Sequence, residues 1–495
     1  MSRVVVVGAG MGGLAVAARL ARLRHDVVVC EQSTTYGGKL GAYQRDGFTF
    51  DTGPSMLTLP AVYRDLFLKT GKTALEDEVD LVPVDPAFRY RFADGTVLDV
   101  PNASRARIAR AMTIAFGSGA GQDWNRLIDH AAEVWRVTRG PFLESPLSGP
   151  AALLRHSRRV SDLRLVAPWR SMRSTGRGFL RDPRQRMLLD RYATYSGSDP
   201  RRAPSALSVI PYVEQTFGVW HVRGGLRRLA DALHARCAER GVRFRFTSDV
   251  AAVDVSGGHA RGVRLVDGEY LDADIVVANA DATHLYRDLV SNPQAARALR
   301  SLGRATPSLS AFVVLLAVRG RTDALQHHTV LFPTDYDAEF DAVFGRSPHP
   351  VDDPTVYVCR PDDPTMHPPG HESWFVSVNA PRHSPGSVVD WDAPGLAESY
   401  ADRVLAVLAE RGLEVRDRVL WRDVRTPADL ERATRAPGGS IYGTSSNGPR
   451  AAFLRPANVS PIPGLFLVGG SAHPGGGLPL VAMSAEIVAN LIGRA

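Results

Sequence analysis

The sequence predicts an α/β fold with a parallel sheet, and apolar runs in three distant parts of the chain carry that prediction. Residues 4–7 are four valines that lead into a glycine-rich turn, and residues 27–30 form a second apolar run. Similar runs occupy 275–278, in a strand predicted over 275–280, and 464–468. Such uninterrupted apolar runs are typical of parallel sheets, whose strands are buried on both faces. We therefore expect a parallel sheet assembled from distant segments.

The turn after the first run has the glycine spacing of a βαβ dinucleotide-binding unit. Gly8 permits the tight turn, Gly10 permits the backbone to approach a pyrophosphate, and Gly13 permits close packing of helix on strand. The free N–H groups at the start of the helix then bind the phosphates. Glu31 ends the second run, where a carboxylate accepts hydrogen bonds from ribose hydroxyls. Together these features predict a Rossmann-type domain that binds an adenine dinucleotide.

Two further glycine-rich segments favour a flavin over a nicotinamide in that dinucleotide. Residues 36–40 form a second glycine turn beside the cation Lys39. Near the C-terminus, a glycine-rich loop that includes Gly469 and Gly470 follows the apolar run, and a helix is predicted over 480–491. The N-terminus of that helix can hold a negative group on a ribityl chain. Because a flavin stays bound and is enclosed by several separate segments, we expect FAD as the cofactor.

The length of 495 residues exceeds what one hydrophobic core usually supports, so several regions are expected. The predicted regions are a discontinuous FAD-binding domain (1–100, 220–300 and 420–495), a helical, basic, membrane-facing substrate region (101–219) and a mixed-sheet substrate region (301–419). Within the last region, the many Asp and Pro residues over 348–369 predict an exposed loop.

The net charge of +7 is uneven, and its basic excess lies in one segment of the predicted helical region. That segment carries two aspartates and the following arginines: Arg155, Arg158, Arg159, Arg164, Arg170, Arg173, Arg177, Arg181, Arg184 and Arg186. Apolar residues such as Leu163, Val166 and Trp169 are interleaved with them. This composition suits an anionic bilayer surface, and it is also typical of a solvated helical face, so both interpretations stay open. No nucleic-acid recognition motif accompanies the charge, so nucleic acid is not expected as a partner.

The cysteines and the hydropathy of the chain indicate the cellular compartment of the protein. Cys30, Cys237 and Cys359 are far apart and lack C-x-x-C spacing, which favours a reducing compartment without a disulfide framework. Histidines such as His327 lack a metal-site context, so no metal is expected. The longest apolar run, 311–318, is too short to span a bilayer, and we expect no signal peptide before the first strand. These features predict a cytoplasmic protein associated peripherally with the inner face of the cell membrane.

Several longer motifs resemble the flavoprotein family of bacterial phytoene desaturases. They are GAGMGG and YGGKLG near the N-terminus, GVWHVRGGLRRLADAL and NADATHLYRDLV in the middle, and LFLVGGSAHPGGGLPL near the C-terminus. RYATYSGSDP, GGSIYG and GGSAHPGGGLP more specifically resemble 1-hydroxycarotenoid 3,4-desaturases and some enzymes that oxidise diapocarotenoids. The resemblance implies an FAD-dependent oxidoreductase of carotenoid biosynthesis. Its substrate would be phytoene or a later acyclic carotene, with or without a 1-hydroxyl group.

The resemblance also implies roles for individual residues. It implies that Gly8, Gly10 and Gly13 turn the chain around the FAD pyrophosphate and that Gly38 and Lys39 lie beside the phosphate bridge. On the adenosine side, it implies that Glu31 holds the ribose and that Val250 contacts adenine through its backbone. On the flavin side, it implies that Gly469 and Gly470 lie along the ribityl chain. Lys39 replaces a frequent arginine, which keeps the charge and loses the fork of donors. Gly470-Ser471 replaces a frequent aspartate, so backbone or serine is expected to contact the ribityl hydroxyl.

Desaturation removes a hydride from one allylic carbon and a proton from the next, with the flavin as hydride acceptor. The protein mainly orients the polyene and excludes water, so we expect a long apolar tunnel with walls from 207–217, 309–317 and 376–378. His473, in the loop near the flavin ring, is a candidate catalytic proton acceptor. Arg223, in a segment close to the flavin in related flavoproteins, is a candidate catalytic group that favours reduced, anionic flavin. For both residues the alternative is a structural role in their loops.

Other functions remain compatible with these motifs. A diapocarotenoid oxidase or a carotene isomerase can use the same fold, and a prenyl-binding escort protein need not retain a flavin site. A flavin amine oxidase would need an aromatic cage at the flavin, where this sequence offers His and Gly. The expected electron acceptor is a quinone or oxygen. Tyr192 and Tyr195 lie where the helical region rejoins the flavin domain, and the sequence gives them no role.

Overall fold

The computed structural model describes residues 1–147, 160–386, 389–448 and 451–495. Its strands are, in chain order, β1 (Arg3–Val7), β2 (Asp26–Cys30), β3 (Ala42–Arg45), β4 (Phe48–Asp51), β5 (Leu57–Thr58), β6 (Leu81–Pro83), β7 (Phe88–Arg91), β8 (Val97–Val100), β9 (Val219–Val222), β10 (Arg243–Arg245), β11 (Val250–Ser256), β12 (His259–Leu265), β13 (Tyr270–Asp272), β14 (Ile275–Ala278), β15 (Ser310–Arg319), β16 (His328–Leu331), β17 (Val356–Cys359), β18 (His371–Ala380), β19 (Val419–Arg425) and β20 (Leu465–Leu467).

The helices connect these strands and form a separate layer between β8 and β9. The α-helices are Met11–Arg22, Ala61–Gly71, Arg105–Phe116, Ala120–Thr138, Val160–Val166, Met172–Phe179, Pro183–Arg191, Val209–Phe217, Arg227–Glu239, Ala282–His284, Ala296–Arg304, Tyr336–Phe344, Leu396–Glu410, Pro427–Thr434, Ala451–Leu454 and Leu478–Ile492. Short 3-10 segments lie at Leu75–Asp77, Tyr192–Ser196, Ser205–Ser208, Pro293–Ala295, Arg416–Arg418 and Pro437–Gly439, and π-helical turns at Arg139–Leu143 and Leu285–Leu289.

A five-stranded parallel sheet is the centre of the first layer. Its order is β10-β2-β1-β14-β20, so the chain returns to this sheet from distant segments. Helices Met11–Arg22, Arg227–Glu239 and Leu478–Ile492 pack together and share one hydrophobic core with β1 and β2. Because the strands are parallel, their carboxyl ends meet at one edge of the sheet. The loops after β1, β2, β14 and β20 therefore converge there.

A seven-stranded mixed sheet forms the second layer, in the order β19-β15-β18-β17-β16-β7-β8. Its long strands β15 and β18 pair antiparallel from Ser310↔Ala380 to Arg319↔His371. Strands β7 and β8 belong to this sheet although residues 88–100 fall within the predicted FAD-binding range. Strand β19 likewise extends the sheet past position 419. Region boundaries set by motif position therefore differ from those set by strand pairing.

The prediction of an exposed loop over 348–369 is wrong for strand β17. This strand lies between β16 and β18, and Val356 and Val358 are fully buried. The Asp and Pro residues flank a short V-Y-V-C run, and such a run of apolar and aromatic residues is typical of a buried strand. Composition averaged over the whole stretch hid that run.

The helical layer is formed by the described residues of 105–147 and 160–217 and holds part of the arginine-rich segment. Arg155, Arg158 and Arg159 lie outside the described residues. Arg173 and Arg181 form ion pairs with the buried carboxylates of Asp190 and Asp123, so part of the basic excess stabilises the fold. Among the residues that the structure describes, no helix combines the length and apolar character needed to cross a bilayer.

Candidate functional site

One large cavity, of about 1370 Å³, lies between the carboxyl edge of the parallel sheet, the mixed sheet and the helical layer. Ordinary ligand pockets measure roughly 300–1,000 Å³, so this one has room for more than one small ligand. We call its two parts the cofactor end, lined by the loops after β1, β2 and β20, and the substrate end, lined by helix Val209–Phe217 and strands β15 and β18.

The cofactor end is shaped by close backbone contacts at glycines. A Cβ added to Gly13 would lie 2.0 Å from the carbonyl oxygen of Gly8, so only glycine lets the helix pack against the turn. A Cβ on Gly38 would lie 3.1 Å from Cα of Gly10. The two N-terminal turns therefore stack directly on each other. Gly8, Gly10, Gly38 and Gly470 line the cavity, which leaves open backbone where a pyrophosphate and ribityl chain would lie.

Asn279, which directly follows β14, joins the N-terminal and C-terminal glycine turns. Its Nδ2 donates to the carbonyl oxygen of Val468 at 3.1 Å. Added Cβ atoms on Gly12 and Gly469 would lie 2.6 and 2.3 Å from that same Nδ2. Sequence reasoning gave this residue no role, although its place after an apolar run of the parallel sheet is a signal that could have found it.

Glu31 follows β2 and is buried, with 9% of its surface exposed. Its Oε2 accepts a hydrogen bond from the N–H of Ala9 (2.7 Å) and its Oε1 from the N–H of Ser33 (2.9 Å). A carboxylate has about four acceptor sites, so acceptors remain for ribose hydroxyls on the side that lines the cavity. Val250, at the start of β11, lines the same part of the wall.

Two cations, the half-buried Lys39 and the buried Arg455, face the cofactor end. Lys39 Nζ donates to the carbonyl oxygens of Ile441 (2.6 Å) and Ser440 (3.2 Å), and burial lowers its pKa. Arg455 donates to the carbonyl oxygens of Gly470 (2.8 Å) and two other residues, and burial lowers its pKa to about 10. Cations bonded to neutral carbonyls beside open backbone suit an anionic ligand. The residues of this end therefore fit FAD, and Arg455 is a contributor that sequence reasoning missed.

His473 lies in the cavity wall and is 1% exposed. Its Nε2 lies 3.1 Å from the carbonyl oxygen of Ser145, so the neutral ring donates from Nε2 and keeps Nδ1 as an acceptor. Burial lowers the pKa of His473 to about 4. The structure thus brings this residue to the cavity with a backbone partner, and its catalytic role stays a prediction.

Arg223 is placed differently. Its guanidinium Nε donates to Asp80 at 2.7 Å, and both side chains are about half exposed, at 48% and 60%. It is not among the described residues that line the cavity. The structure therefore gives Arg223 a surface ion pair, because the turn after β9 directs it outward, and its influence on a flavin stays a prediction.

The substrate end carries a polar group in an otherwise apolar wall. Arg191, Tyr195 and Glu214, which we call the Arg191 cluster, all line the cavity. Arg191 Nη1 donates to Tyr195 Oη (2.7 Å), and Tyr195 Oη donates to Glu214 (3.2 Å). Burial raises the pKa of Glu214 to about 7. Around them, residues of all three predicted wall segments face the cavity: Leu207, Ile210, Val213, Leu309, Ala311, Val313, Ser377 and Val378.

Behind the wall lies a buried group of histidines. Tyr357 Oη shares hydrogen bonds with Ser55 Oγ (2.6 Å), at the cavity, and with His328 Nδ1 (2.8 Å). His327, His328 and Cys359 each bring one potential metal-ligand atom within 4.8 Å of the others. Sequence spacing gave no sign of this group, because strand pairing brings Cys359 beside the two histidines. The expectation of no metal stays a prediction.

Comparison with known proteins identifies the family to which this architecture belongs. The family model of flavin containing amine oxidoreductases matches residues 11–493. The chain belongs to this flavoprotein family. A 4,4'-diapolycopene oxygenase of Methylomonas sp. is 33% identical over 99% of this chain and 98% of its own, and a hydroxyneurosporene desaturase of Rubrivivax gelatinosus is 34% identical over 99% and 93%. A putrescine oxidase structure with bound putrescine has a TM-score of 0.67 at 15% identity, over 99% of this chain and 98% of that one.

These findings confirm the predicted fold class, the resemblance to carotenoid desaturases and their diapocarotenoid-oxidising relatives, and FAD as cofactor. The flavoprotein is an FAD-dependent oxidoreductase. The roles of the individual glycines, of Glu31 and of Lys39 stay predictions that the geometry above supports. Sequence reasoning gave Arg191 and Glu214 no individual role, although Arg191 begins the RYATYSGSDP motif and Glu214 lies in the predicted wall segment 207–217. One acidic residue within the apolar helix Val209–Phe217 was a signal for the second.

Proposed function

We propose that this flavoprotein desaturates a carotenoid. The observation that carries the proposal is one continuous cavity with glycine turns fitted to FAD at one end and an apolar wall at the other. A polyene in the substrate end would reach the cofactor and be shielded from water. The two relatives named above, one an oxygenase and one a desaturase, are both named for carotenoids and span nearly the whole chain, which supports this substrate class.

The apolar wall supplies binding and orientation. Side chains such as Ile210, Val213 and Val313 offer a hydrocarbon no polar partner, so its binding follows from removal of apolar surface from water. When bound, FAD supplies a hydride acceptor. His473 is neutral at pH 7, and its Nδ1 can take up the proton that the neighbouring carbon loses. A weak base suffices there, because loss of hydride makes that C–H group strongly acidic.

We also propose that the substrate enters from the inner face of the cell membrane. Leu163 and Trp169 line the cavity and are 40% and 62% exposed, so they form an apolar mouth. Arg164 and Arg170, which directly follow these two residues in the chain, are exposed and form no ion pair with any residue that the structure describes. Unpaired arginines attract anionic headgroups by about 1 kcal/mol each. Co-sedimentation of the FAD-loaded protein with anionic vesicles tests this proposal.

The test of the function is product analysis. FAD-loaded protein is incubated with liposomes that contain phytoene, neurosporene or a 1-hydroxylated carotene, and products are examined by mass and absorption. Loss of two hydrogens with a red-shifted polyene spectrum is expected for at least one substrate. Parallel anaerobic reactions with and without an added quinone distinguish oxygen from a quinone as electron acceptor.

Other outcomes identify the alternatives. A gain of oxygen would indicate a diapocarotenoid oxidase, and unchanged mass with altered retention would indicate an isomerase. Unchanged polyenes combined with peroxide release from soluble amines would indicate an amine oxidase. Each of these results would contradict desaturation.

A further inference from the structure

The Arg191 cluster places charge where a pure hydrocarbon has no use for it. Arg191 and Glu214 are 7% and 4% exposed, and both line the substrate end. Burial of a charged group is costly unless the group is paired and hydrogen-bonded. Here the two charges are joined through the hydroxyl of Tyr195 rather than by a direct ion pair.

The guanidinium of Arg191 is held rigidly by aromatic rings. Its Cζ lies 5.0 Å from the ring centre of Tyr195, 5.2 Å from that of Phe88 and 5.8 Å from those of Tyr90 and Tyr357. Cation–π contacts stabilise the charge without consuming its N–H donors. Arginine has five such donors, and Nη1 donates to Tyr195, so donors remain for a further acceptor.

Glu214 is fixed from the opposite side. Its Oε1 accepts a hydrogen bond from Tyr192 Oη (2.5 Å), and its Oε2 accepts the bond from Tyr195. The Tyr195 hydroxyl therefore stands between a donor and an acceptor, with its orientation determined by both. Such a preorganised polar group in an apolar wall recognises a single polar atom on an otherwise apolar ligand.

We propose that the Arg191 cluster binds an oxygen atom at the end of the polyene. This inference rests on the proposed function, and it names the substrate class as oxygenated carotenoids with a terminal hydroxyl or carbonyl group. Arg191 donates to either kind of oxygen. A hydroxyl also donates to Glu214 or Tyr195, whereas a carbonyl only accepts.

Dissociation constants test this subsite without relying on turnover. The FAD-loaded protein is titrated with acyclic polyenes of equal length that carry a terminal hydroxyl, a terminal aldehyde or no oxygen, and binding is followed by polyene absorption. The wild-type protein is expected to bind at least one oxygenated polyene about tenfold more tightly than the hydrocarbon. Preference for the hydroxyl over the aldehyde indicates that the hydroxyl also donates to Glu214 or Tyr195. Similar affinities indicate that the oxygen only accepts, from an Arg191 that the Tyr195 hydroxyl orients.

Two variants distinguish the subsite from a general effect. Tyr195→Phe and Arg191→Met are each expected to bring the ratio of the dissociation constants close to one. Ser377→Ala, which alters a polar wall residue outside the cluster, is expected to leave the ratio unchanged. Tyr195→Phe preserves shape, so it remains informative if Arg191→Met does not fold.

The inference and the proposed function fail in different ways. Equal affinity of the wild-type protein for all three polyenes, or an unchanged ratio in Tyr195→Phe, overturns the subsite even when turnover is normal. A wild-type protein that binds an oxygenated polyene about tenfold more tightly than the hydrocarbon, but turns over neither, supports the subsite and contradicts desaturation. An Arg191→Met variant with an altered flavin spectrum and an unchanged ratio assigns the cluster to the cofactor and overturns the inference.

Discussion

The cofactor end of the cavity is built mainly from backbone, whereas the substrate end is built from side chains. At the cofactor end, a Cβ added to Gly13 would lie 2.0 Å from the carbonyl oxygen of Gly8, and one added to Gly38 would lie 3.1 Å from Cα of Gly10. At the substrate end, residues such as Val213 and Ala311 present side chains from a helix and a strand far apart in sequence. A cavity wall made of closely packed backbone leaves little room for added side-chain atoms, whereas a wall made of side chains changes its shape when residues are substituted. The cofactor end is therefore suited to a constant ligand, and the substrate end to a substrate that differs between relatives.

Gly13→Val is the change with the largest expected effect. Its Cβ would lie 2.0 Å from the carbonyl oxygen of Gly8. Gly13 belongs to helix Met11–Arg22, and the N–H of Gly8 donates to the carbonyl oxygen of Cys30 in β2, so neither backbone is free to move away. We expect loss of FAD binding and destabilisation by about 3 kcal/mol or more, at the upper end of overpacking costs. The measurements are the flavin-to-protein absorption ratio after gel filtration and the thermal unfolding temperature.

Gly303→Ala is the matched control. Gly303 lies in helix Ala296–Arg304 with nothing within 4 Å of an added Cβ. The alanine is expected to stabilise the helix by up to about 1 kcal/mol and leave the flavin ratio unchanged. Full FAD content in Gly13→Val would show that the backbone contact is not limiting.

Ala311→Trp has the next largest expected effect, and it should lower substrate turnover without changing FAD binding. Ala311 lines the substrate end on β15, and a tryptophan there fills space that the polyene needs. We expect turnover of any polyene substrate to fall at least about a hundredfold, since a misplaced substrate loses its orientation toward the flavin. The flavin ratio should stay as in the wild type, because no glycine contact changes.

The same substitution at an exposed strand position, Ala251→Trp on β11, is the control for added bulk. Its turnover should equal that of the wild type. Loss of FAD in Ala311→Trp would mean that the two ends are not independent.

The difference between a cofactor end built from backbone and a substrate end built from side chains also explains which residues could be predicted from sequence. The cofactor end depends on residues whose spacing is short and whose conformation demands glycine, so Gly8, Gly13 and Glu31 could be named in advance. The Arg191 cluster depends on a helix terminus meeting another helix across a cavity, and no local pattern records that meeting. Tyr195 could be placed but not given a role. The buried strand β17 was missed for the related reason that its environment comes from distant strands.

Burial acts on one titratable group at each end, in opposite directions. It lowers the pKa of His473 from 6.5 to about 4 and raises that of Glu214 from 4.5 to about 7. Between pH 6.5 and 4 the unfolded chain binds a proton that the folded His473 refuses, so stability is lost as pH falls. Between pH 4.5 and 7 the folded Glu214 keeps a proton that the unfolded chain releases, so stability is lost as pH rises. Each effect is at most about 3 kcal/mol.

The variants His473→Gln and Glu214→Gln check these signs. The free energy of unfolding, taken as variant minus wild type, should increase toward low pH for His473→Gln and toward neutral pH for Glu214→Gln. Denaturant titrations at several pH values supply the numbers. The contributions of all other titratable groups are the same in the variant and the wild type, so they cancel in each difference. A difference that is flat with pH for either variant would contradict the burial of that side chain.

The smallest expected effect concerns the mouth of the substrate end. Arg164 is exposed beside Leu163 and Trp169, and Arg164→Gln removes a charge that anionic headgroups would attract. We expect binding to anionic vesicles to weaken by about 1 kcal/mol, or roughly fivefold. Arg300→Gln is the matched control, because Arg300 is equally an exposed helical arginine beside an exposed leucine, Leu299, but belongs to a helix that does not line the cavity. Equal weakening in both variants would mean that only overall charge matters, whereas weakening of Arg164→Gln alone, lost in neutral vesicles, places the bilayer at this mouth.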